Sequence, residues 1–553
     1  MSRICPTPQE VVESATSTPI PSVVAVINGP DTDPAARRVL EATLRGAGAE
    51  VRHVRARDVV PNEHLLVYLG GPAENPTTAR ILQRLNVKGP EDLPAEGYVL
   101  ASGRAGDRSV VTLAGADPTG TYYAAHTFRQ LLDGTDRLPS IAIRDWPRLS
   151  VRGAIEGFYG SPWSDEDRAD QLAFYGAHKL NTYQYSPKDD PYLRERWRDP
   201  YPDTELAQLA SLVAQARDHH VTFTYALSPG LSVCYSSNDD LAALVAKFEQ
   251  LYAIGVRSFN VPLDDISYTD WNCAADEERF GTGGGAAGTA QAYLLNRVVE
   301  AFVAQHDDVS PLQLFGHRIM LWDNYPVNDY QRGRLALAPY TGRQPRLADQ
   351  LVGVVANPMN QAAASKLGLY SVADYAWNPE RFDPQQSWQD SLDEYAKGDE
   401  NVSTALRMFC DTQHWLETIT GVDAPELAAA IEAFWPAWLA KDDAAITTFE
   451  RHVVAFAAAP DVLKGGLEPA FATETRPWLT TMTVWGEAMA TCLDLLRAHR
   501  ESDAQAVRTL TTRLDTLVSR ARSEVDPNDP SVPVKVADGV ADRFVRDVLT
   551  AVR

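Results

Sequence analysis

The chain is organised around the segment Ser258-Phe-Asn-Val-Pro-Leu-Asp264-Asp265-Ile266. An apolar run typical of a buried strand stops there on two adjacent carboxylates. In a barrel of parallel strands, reactive side chains lie where the strands end, at the C-terminal rim. Other Asp-Asp pairs, such as Asp189-Asp190 and Asp442-Asp443, do not stand directly behind a hydrophobic strand. We therefore predict that Asp264 and Asp265 form a catalytic pair.

Length and charge narrow the class of protein. A chain of 553 residues is too long to fold around a single hydrophobic core. At about 150 residues per domain, three or four domains are expected. The net charge of −23 argues against nucleic-acid binding, because contact with phosphates needs a basic surface. A neutral ligand such as a sugar fits this composition better.

The cysteines and the N-terminus indicate the cellular compartment in which the protein is expected. The five cysteines have no metal-ligand spacing and are expected to be free thiols: Cys5, Cys234, Cys273, Cys410 and Cys492. Neither a signal peptide nor a run of ~20 apolar residues is evident, so no membrane association is expected. As written the chain is predicted to be cytoplasmic, or secreted if a leader has been removed. The oligomeric state stays open.

Residues 1–148 are predicted to form an α/β domain. Short β-rich runs at 23–27, 65–68, 98–101 and 110–113 are separated by helical patterns at 33–47 and 76–86, and a third helix is predicted at 119–133. No cluster of acids and bases occurs in this region. We interpret it as an accessory domain without a site of its own.

Residues 149–385 are predicted to form a TIM-type (β/α) barrel. Strand-like runs fall at 153–159, 181–185, 221–227, 257–263, 318–322 and 351–355. Helical patterns at 164–178, 204–219, 239–254 and 287–306 separate the first five, with a glycine-rich loop expected at 281–288. Repeated strand-helix units imply a parallel sheet.

Residues 386–553 are predicted to form an α-helical bundle. Segments near 386–397, 399–420, 424–440, 442–458, 468–501, 503–524 and 535–552 carry apolar residues at helical spacing. Five tryptophans in this region are expected in the core rather than as sugar-stacking platforms: Trp415, Trp435, Trp438, Trp478 and Trp485.

Groups capable of chemistry recur at the predicted strand ends. They include Gly157, Lys188, the Asp264-Asp265 pair, Trp322, Asn324, Asp329 and Asn357. Each alone has an ordinary structural interpretation, such as a loop cap, an ion pair of Lys188 with Asp189 or Asp190, or a core tryptophan. Together on one rim they predict a carbohydrate site, because sugar hydroxyls need directional polar partners and a pyranose face suits an aromatic ring.

Long ordered motifs resemble glycoside hydrolase family 84. They are Arg152-Gly-Ala-Ile-Glu-Gly-Phe-Tyr-Gly-Ser-Pro-Trp163, Asn181-Thr-Tyr-Gln-Tyr-Ser-Pro-Lys-Asp-Asp-Pro-Tyr192, Leu227-Ser-Pro-Gly230, Asp264-Asp-Ile266, Trp322-Asp-Asn-Tyr-Pro-Val-Asn-Asp329 and Asn357-Pro358. That family comprises O-GlcNAcases and bacterial β-N-acetylglucosaminidases once called hyaluronidases. The resemblance spans roughly 1–385 and extends more loosely into the helical region.

The resemblance implies a retaining mechanism in which the 2-acetamido group of the substrate is the nucleophile, an exception to the enzyme-carboxylate scheme. Asp264 would orient the acetamido group, and Asp265 would be the general acid and base. Gly157, Lys188, Asn324, Asp329 and Asn357 would hold sugar hydroxyls, and Trp322 would wall the acetamide pocket. Neither a metal nor an organic cofactor is implied, and the partner would be a GlcNAc-containing glycan or glycoprotein.

The chain departs from the family between Ile266 and His317. The family has two more strands there, ending in Pro-Thr-Glu-Tyr-like and Trp-Thr-Gly-Pro-like motifs, and neither motif occurs. Six strands are therefore expected instead of the eight of a closed barrel. Two functions follow as hypotheses: an exo-acting β-N-acetylglucosaminidase, or a catalytically impaired GlcNAc-binding protein that has lost part of its barrel.

Overall fold

The computed structural model describes residues 4–56, 58, 62–309, 319–414 and 423–553. The first sheet has seven strands: β1 (Glu10–Pro19), β2 (Val23–Asn28), β3 (Glu50–Arg55), β4 (Leu65–Leu69), β5 (Tyr98–Ala105), β6 (Arg108–Gly115) and β7 (Arg137–Asp145). Their order is β1-β7-β5-β6-β4-β2-β3. Three helices accompany them: α1 (Pro34–Gly46), α2 (Thr78–Arg84) and α3 (Pro118–Leu131).

The α/β character predicted for this region is confirmed, but three strands were not predicted. Strands β2, β4, β5 and β6 fall on the predicted runs. Strands β1 and β3 are largely exposed, so they lack the apolar runs that mark a buried strand. They are held in the sheet by pairing with β7 and β2 respectively.

A second sheet carries the strand ends of interest. Its six strands are β8 (Val151–Ile155), β9 (Thr182–Tyr185), β10 (Thr222–Ala226), β11 (Ser258–Asn260), β12 (Ile319–Pro326) and β13 (Leu351–Asn357). All neighbours pair in parallel, in the order β11-β10-β9-β8-β13-β12. Within the described ranges, β11 and β12 are the two edges, so the parallel sheet is confirmed and a closed barrel is not.

The helices of this region follow the predicted pattern with two corrections: the short helix at 274–280 was not predicted, and the glycine-rich loop is shorter than expected. They are α4 (Asp165–Ala177), α5 (Asp203–Asp218), α6 (Asn238–Ala253), α7 (Ala274–Phe280) and α8 (Gly284–Ala301). The glycine-rich loop predicted at 281–288 is wrong beyond residue 283, because Gly284, Gly285 and Gly288 lie in the first turns of α8. The alanines among them favour helix strongly enough to offset the glycines.

Helix α9 (Ala362–Trp377) was not predicted and lies at the centre of the molecule. All its residues are buried, so its sequence lacks the alternation of polar and apolar faces that marks a surface helix. Trp377 ends the helix against the first sheet, where its indole donates a hydrogen bond of 2.7 Å to Asp145. The helix therefore links the two sheets.

The remaining described residues are mostly helical, as predicted. The helices are α10 (Pro384–Tyr395), α11 (Glu400–Asp411), α12 (Pro425–Ala440), α13 (Asp443–Gly466), α14 (Pro469–Glu474), α15 (Arg476–Arg500), α16 (Ala504–Ala521) and α17 (Ala541–Ala551). A small hairpin, β14 (Val525–Asp526) and β15 (Asp529–Pro533), was not predicted. The helix predicted at 468–501 is two helices that meet at Thr475, and Pro477 stands at the start of the second.

The tryptophans of this region pack as predicted where they are described. Trp478 and Trp485 are buried, and Trp435 and Trp438 pack against the same core. Trp415 and the end of the helix predicted at 399–420 lie outside the described residues. Among the described helices, none combines the length and the apolar composition needed to cross a bilayer.

The prediction that all five cysteines are free thiols is wrong. Cys234 and Cys273 form a disulfide, while Cys5, Cys410 and Cys492 are free and buried. Thirty-nine positions separate the pair in sequence. Sequence spacing gave no sign of it, because the loop after β10 and the segment after β11 meet only in the folded sheet.

Candidate active site

The two adjacent carboxylates predicted as a catalytic pair face one ammonium group. Lys188 Nζ lies 3.6 Å from Asp264 Oδ2 and 3.9 Å from Asp265 Oδ2. The lysine side chain is 9% exposed, whereas those of Asp264 and Asp265 are 38% and 54% exposed. A shielded cation thus offsets the repulsion between two carboxylates that remain accessible to a ligand. The ion pairs considered for Lys188 with Asp189 or Asp190 are not the ones that form.

The backbone at Asp265 accounts for this convergence. Successive side chains of a regular strand point to opposite faces. Strand β11 ends at Asn260, and Asp265 has a φ of +52°. That left-handed conformation is uncommon outside glycine, although aspartate tolerates it better than most residues. It turns the chain so that both carboxylates face Lys188.

A second group of predicted site residues lies at the ends of β8, β12 and β13. Asn357 Oδ1 accepts a hydrogen bond of 3.2 Å from the Gly157 amide, and its Nδ2 donates one of 3.2 Å to Asn324 Oδ1. The indole of Trp322 donates to the same Asn324 oxygen at 3.0 Å. A Cβ at Gly157 would stand 2.6 Å from the Trp322 ring, so glycine is required for this close approach.

Tyr159 connects the two groups and was not predicted as a site residue. Its hydroxyl donates a hydrogen bond of 2.9 Å to Asp265 Oδ2, and its amide donates one of 2.9 Å to Asp329 Oδ2. Lys188 Nζ lies 5.2 Å from the Tyr159 ring centre and 5.8 Å from that of Trp322. All eight predicted residues therefore belong to one continuous set of contacts. The signal available in the sequence was the exposed aromatic just behind the first strand of the barrel region.

A buried ion pair supports the end of β8. The Arg168 guanidinium donates two hydrogen bonds, of 2.9 and 2.7 Å, to the Glu156 carboxylate, and the Tyr183 hydroxyl donates another. Burial raises the pKa of Glu156, and these donors act against that rise. With its oxygens occupied by these partners, Glu156 holds the strand end and leaves the reactive roles to the exposed acids.

One described cluster has the residue types of a metal site. Ligand atoms of Cys234, Cys273 and Asp276 lie within 4.8 Å of one another. The two sulfurs are bonded to each other, so neither is a thiolate that could bind a metal. Asp276 accepts hydrogen bonds from the backbone amides of Tyr235 and Ser236 at 2.6 and 2.8 Å. We interpret the cluster as one that stabilises the loop after β10.

Family models match the three regions of the chain in turn. A model described as beta-N-acetylglucosaminidase matches residues 152–316 and 312–411, and thus covers all eight predicted site residues. A model of domain 2 of glycosyl hydrolase family 20 matches residues 1–146. A model described as hyaluronidase post-catalytic domain-like matches residues 426–545.

Two solved structures match nearly the whole chain, and a third matches about three quarters of it. That of CpGH84B is 25% identical with a TM-score of 0.81, covering 99% of this chain and 100% of its own. The chain belongs to glycoside hydrolase family 84. CpGH84D, at 21% identity and a TM-score of 0.84 over 100% of this chain and 99% of its own, shares the fold. A mutant of the Thermobaculum terrenum O-GlcNAc hydrolase is 25% identical, with a TM-score of 0.65 over 73% of this chain and 95% of its own.

Curated relatives of this family 84 chain are longer. Protein O-GlcNAcase of Mus musculus and that of Rattus norvegicus are each 30% identical to it over 280 residues. The match covers 41% of this chain and 30% of each relative. The shared part is therefore less than a third of those proteins.

Proposed function

We propose that this protein is a retaining exo-β-N-acetylglucosaminidase that removes terminal β-linked GlcNAc from glycans or glycoproteins by substrate-assisted catalysis. The observation that carries the proposal is the convergence of Asp264 and Asp265 on Lys188, beside the polar group formed by Asn324 and Asn357. Family membership supports the reaction class, because the family 84 match covers this same rim.

In the first step, Asp264 accepts a hydrogen bond from the acetamide N–H of the substrate. This bond orients the acetamide carbonyl oxygen towards C1 of the same sugar. That oxygen forms a bond to C1 while the glycosidic C1–O bond breaks. Protonated Asp265 gives its proton to the leaving oxygen. The products of this step are the free aglycone alcohol and an oxazolinium ion, the protonated form of the oxazoline, whose positive charge lies next to the Asp264 carboxylate.

In the second step, Asp265 takes a proton from water as the water oxygen attacks C1. The bond from C1 to the acetamide oxygen breaks, and the acetamido group is restored. Two displacements at C1 give a product with the β configuration of the substrate. Asp265 ends the cycle protonated, ready for another substrate.

The remaining residues hold the sugar in this proposal. The Gly157 carbonyl, Lys188, Asn324, Asp329 and Asn357 bind hydroxyl groups, and Trp322 walls the acetamide pocket. Hydrogen bonds that join Gly157, Asn357, Asn324 and Trp322 hold these four residues in place before the sugar arrives, which lowers the entropy lost on binding.

The decisive experiment measures GlcNAc release from an aryl β-GlcNAc substrate. Asp265→Asn should lower kcat at least about 100-fold, since a general acid contributes that much or more. Asp239→Asn is the matched control, because Asp239 belongs to an Asp-Asp pair in the first turn of α6 and is not one of the predicted site residues. A thiazoline mimic of the oxazoline should compete with substrate, and the product released first should be the β anomer.

Full activity in Asp265→Asn, or release of the α anomer first, would rule the proposal out. The alternative of a GlcNAc-binding protein without turnover is not favoured by the comparisons. Its signature would be calorimetric binding of GlcNAc by the wild-type chain together with no release from any β-GlcNAc substrate.

A further inference from the structure

A cavity of about 190 Å³ lies beside Asp265, and Gly157, Trp322, Asn324 and Asn357 are not among its lining residues. Asp265 lines it, whereas neither Asp264 nor Lys188 is among its lining residues. Its walls come from the loop after β10 and from the segment after β11. The principal lining side chains are Leu231, Tyr235, Ile266, Tyr268, Trp271 and Asn272.

Cross-links between its two walls preform this cavity. The Cys234–Cys273 disulfide joins them covalently. The Asn272 side chain donates hydrogen bonds of 2.9 Å to both the Gly230 and Val233 carbonyls. A preformed cavity loses little entropy when a ligand binds, so these cross-links favour a binding role.

Aromatic and apolar groups are exposed around the cavity. Tyr268 and Leu231 are 51% and 52% exposed at its edge. The Trp271 indole donates a hydrogen bond of 2.9 Å to the Gly281 carbonyl and lies edge-on to Tyr235, with ring centres 6.2 Å apart. Large apolar side chains that remain exposed beside a reactive group are typical of a ligand surface.

Size and charge restrict the ligand. Pockets for drug-sized molecules measure about 300–1,000 Å³, so a cavity of about 190 Å³ suits a single ring. Asp265 and Asp270 both line it, and the whole chain carries a net charge of −23. Carboxylates and hydroxyls beside aromatic rings suit a neutral pyranose, which has an apolar face and a rim of hydroxyl groups.

We infer that this cavity binds the aglycone sugar, and that the preferred substrates are glycans in which terminal β-GlcNAc is linked to another neutral hexopyranose. The inference rests on the proposed function, in which Asp265 protonates the leaving oxygen and so stands between the two sugars. A peptide carrying GlcNAc on serine would extend on both sides of the linkage, which a compact hollow for one ring accommodates poorly.

The experiment compares three β-GlcNAc substrates on the full chain: the methyl glycoside, the disaccharide of two GlcNAc units, and a GlcNAc-serine peptide. Methanol and a sugar hydroxyl are alkoxide leaving groups of the same kind. The ratio of kcat/KM for the disaccharide to that for the methyl glycoside therefore measures the contribution of contacts between the cavity and the second sugar. We expect the disaccharide to exceed the methyl glycoside by about tenfold or more. Tyr268→Ala and Leu231→Ala should each bring that ratio towards unity. Leu439→Ala, another exposed leucine at 80% exposure on α12, is the matched control.

A disaccharide ratio near unity, a preference for the peptide, or an unchanged ratio in Tyr268→Ala and Leu231→Ala would each overturn the inference. If no substrate is turned over, the proposed function fails. Calorimetry of sugar binding then tests separately whether the cavity binds the aglycone sugar. Disaccharide binding at least about tenfold tighter than GlcNAc, lost in Tyr268→Ala, would then support the aglycone site. Equal affinities would overturn it.

Discussion

The orientation of the Asp265 carboxylate is set by its backbone conformation and by the side chains that contact it. Its left-handed backbone directs its carboxylate to the same side as that of Asp264, and its side chain contacts Tyr159 and Lys188. Uncommon backbone conformations of this kind occur often at functional sites, where surrounding contacts maintain them. We therefore regard Tyr159 as a positioning residue for the acid.

Tyr159→Phe tests this positioning role. Removal of the hydroxyl deletes the 2.9 Å hydrogen bond to Asp265 and leaves the ring in place. A hydrogen bond to a charged group contributes about 1.5–3 kcal/mol when buried. Because Tyr159 is 48% exposed, we expect kcat for an aryl β-GlcNAc to fall about three- to tenfold, with KM within about twofold. Tyr330→Phe, at a tyrosine 47% exposed, serves as control; a change confined to KM would contradict the role.

Gly157→Ala tests the close packing of Gly157 against Trp322 and Asn357. The new methyl group would lie 2.6 Å from the Trp322 ring and 3.4 Å from Asn357 Oδ1, so the indole must shift from its bond to Asn324. We expect kcat/KM to fall about tenfold or more through a higher KM. At Gly46 of α1 an added Cβ meets nothing within 4 Å, so Gly46→Ala should leave kcat/KM unchanged. Wild-type kinetics in Gly157→Ala would mean that Trp322 does not contact the sugar.

At the scale of elements, two connections hold the site from outside. The disulfide joins the loop after β10 to the segment after β11, which also carries Asp264 and Asp265. On the other side, α14 ends with Glu474, whose carboxylate accepts hydrogen bonds from the Ala363 and Ala364 amides at the start of α9. Helix α9 follows β13, which carries Asn357, so this cap supports the rim indirectly.

The disulfide predicts a thiol count. The non-reduced protein, unfolded in denaturant, should show three reactive thiols per chain, and the reduced protein five. For a loop of this length the bond should contribute about 3 to 4 kcal/mol to the free energy of unfolding. Cys234→Ser should therefore lower Tm, whereas Cys492→Ser removes a thiol without breaking the link and should leave the disulfide intact in mass spectra. Five thiols before reduction would contradict the pairing.

The cap on α9 predicts how stability depends on pH. Burial raises the pKa of Glu474 from 4.5 to about 7, against the hydrogen bonds it accepts, which lower it. Between pH 4.5 and 7 the folded state therefore binds more protons than the unfolded state at this group, so its contribution to stability falls as pH rises through that window. Each pKa unit corresponds to about 1.4 kcal/mol, which gives a loss on the order of 3 kcal/mol.

Glu474→Gln removes the proton equilibrium and keeps an acceptor for the α9 amides. The Tm of this variant relative to wild type should be higher at pH 8 than at pH 5. Thermal unfolding followed by circular dichroism at both pH values measures the difference. The same relative Tm at pH 5 and pH 8 would show that Glu474 does not couple protonation to folding.

At the scale of the whole molecule, net charge bears on which substrates approach. The chain carries −23, and a field of this sign disfavours anionic ligands near an acidic site. We expect a β-GlcNAc substrate with a uronic acid aglycone to show a lower kcat/KM than its neutral counterpart. Added salt should narrow the gap, since screening shortens the range of repulsion to about 8 Å at 0.15 M. A gap that is independent of salt would assign the selectivity to local contacts.

The local sequence pattern was sufficient to predict a strand or helix wherever the burial of each residue followed from its neighbours in sequence. Strands β8 to β13 were predicted from short apolar runs and helices α4 to α6 from their periodicity, and all of these predictions overlap the observed bounds. The exposed strands β1 and β3 were missed because they lack such runs, and helix α9 was missed because its residues are buried on every face.

Short contiguous motifs were enough to predict the α/β order of the chain, the position of Asp264 and Asp265 behind a strand, and the resemblance to a glycosidase family. The contacts of Lys188 with both acids, of Tyr159 with Asp265, and of Cys234 with Cys273 became visible only in the folded chain. These contacts join segments that follow different strands. Their distances are set by how the parallel sheet packs, which spacing along the chain does not encode.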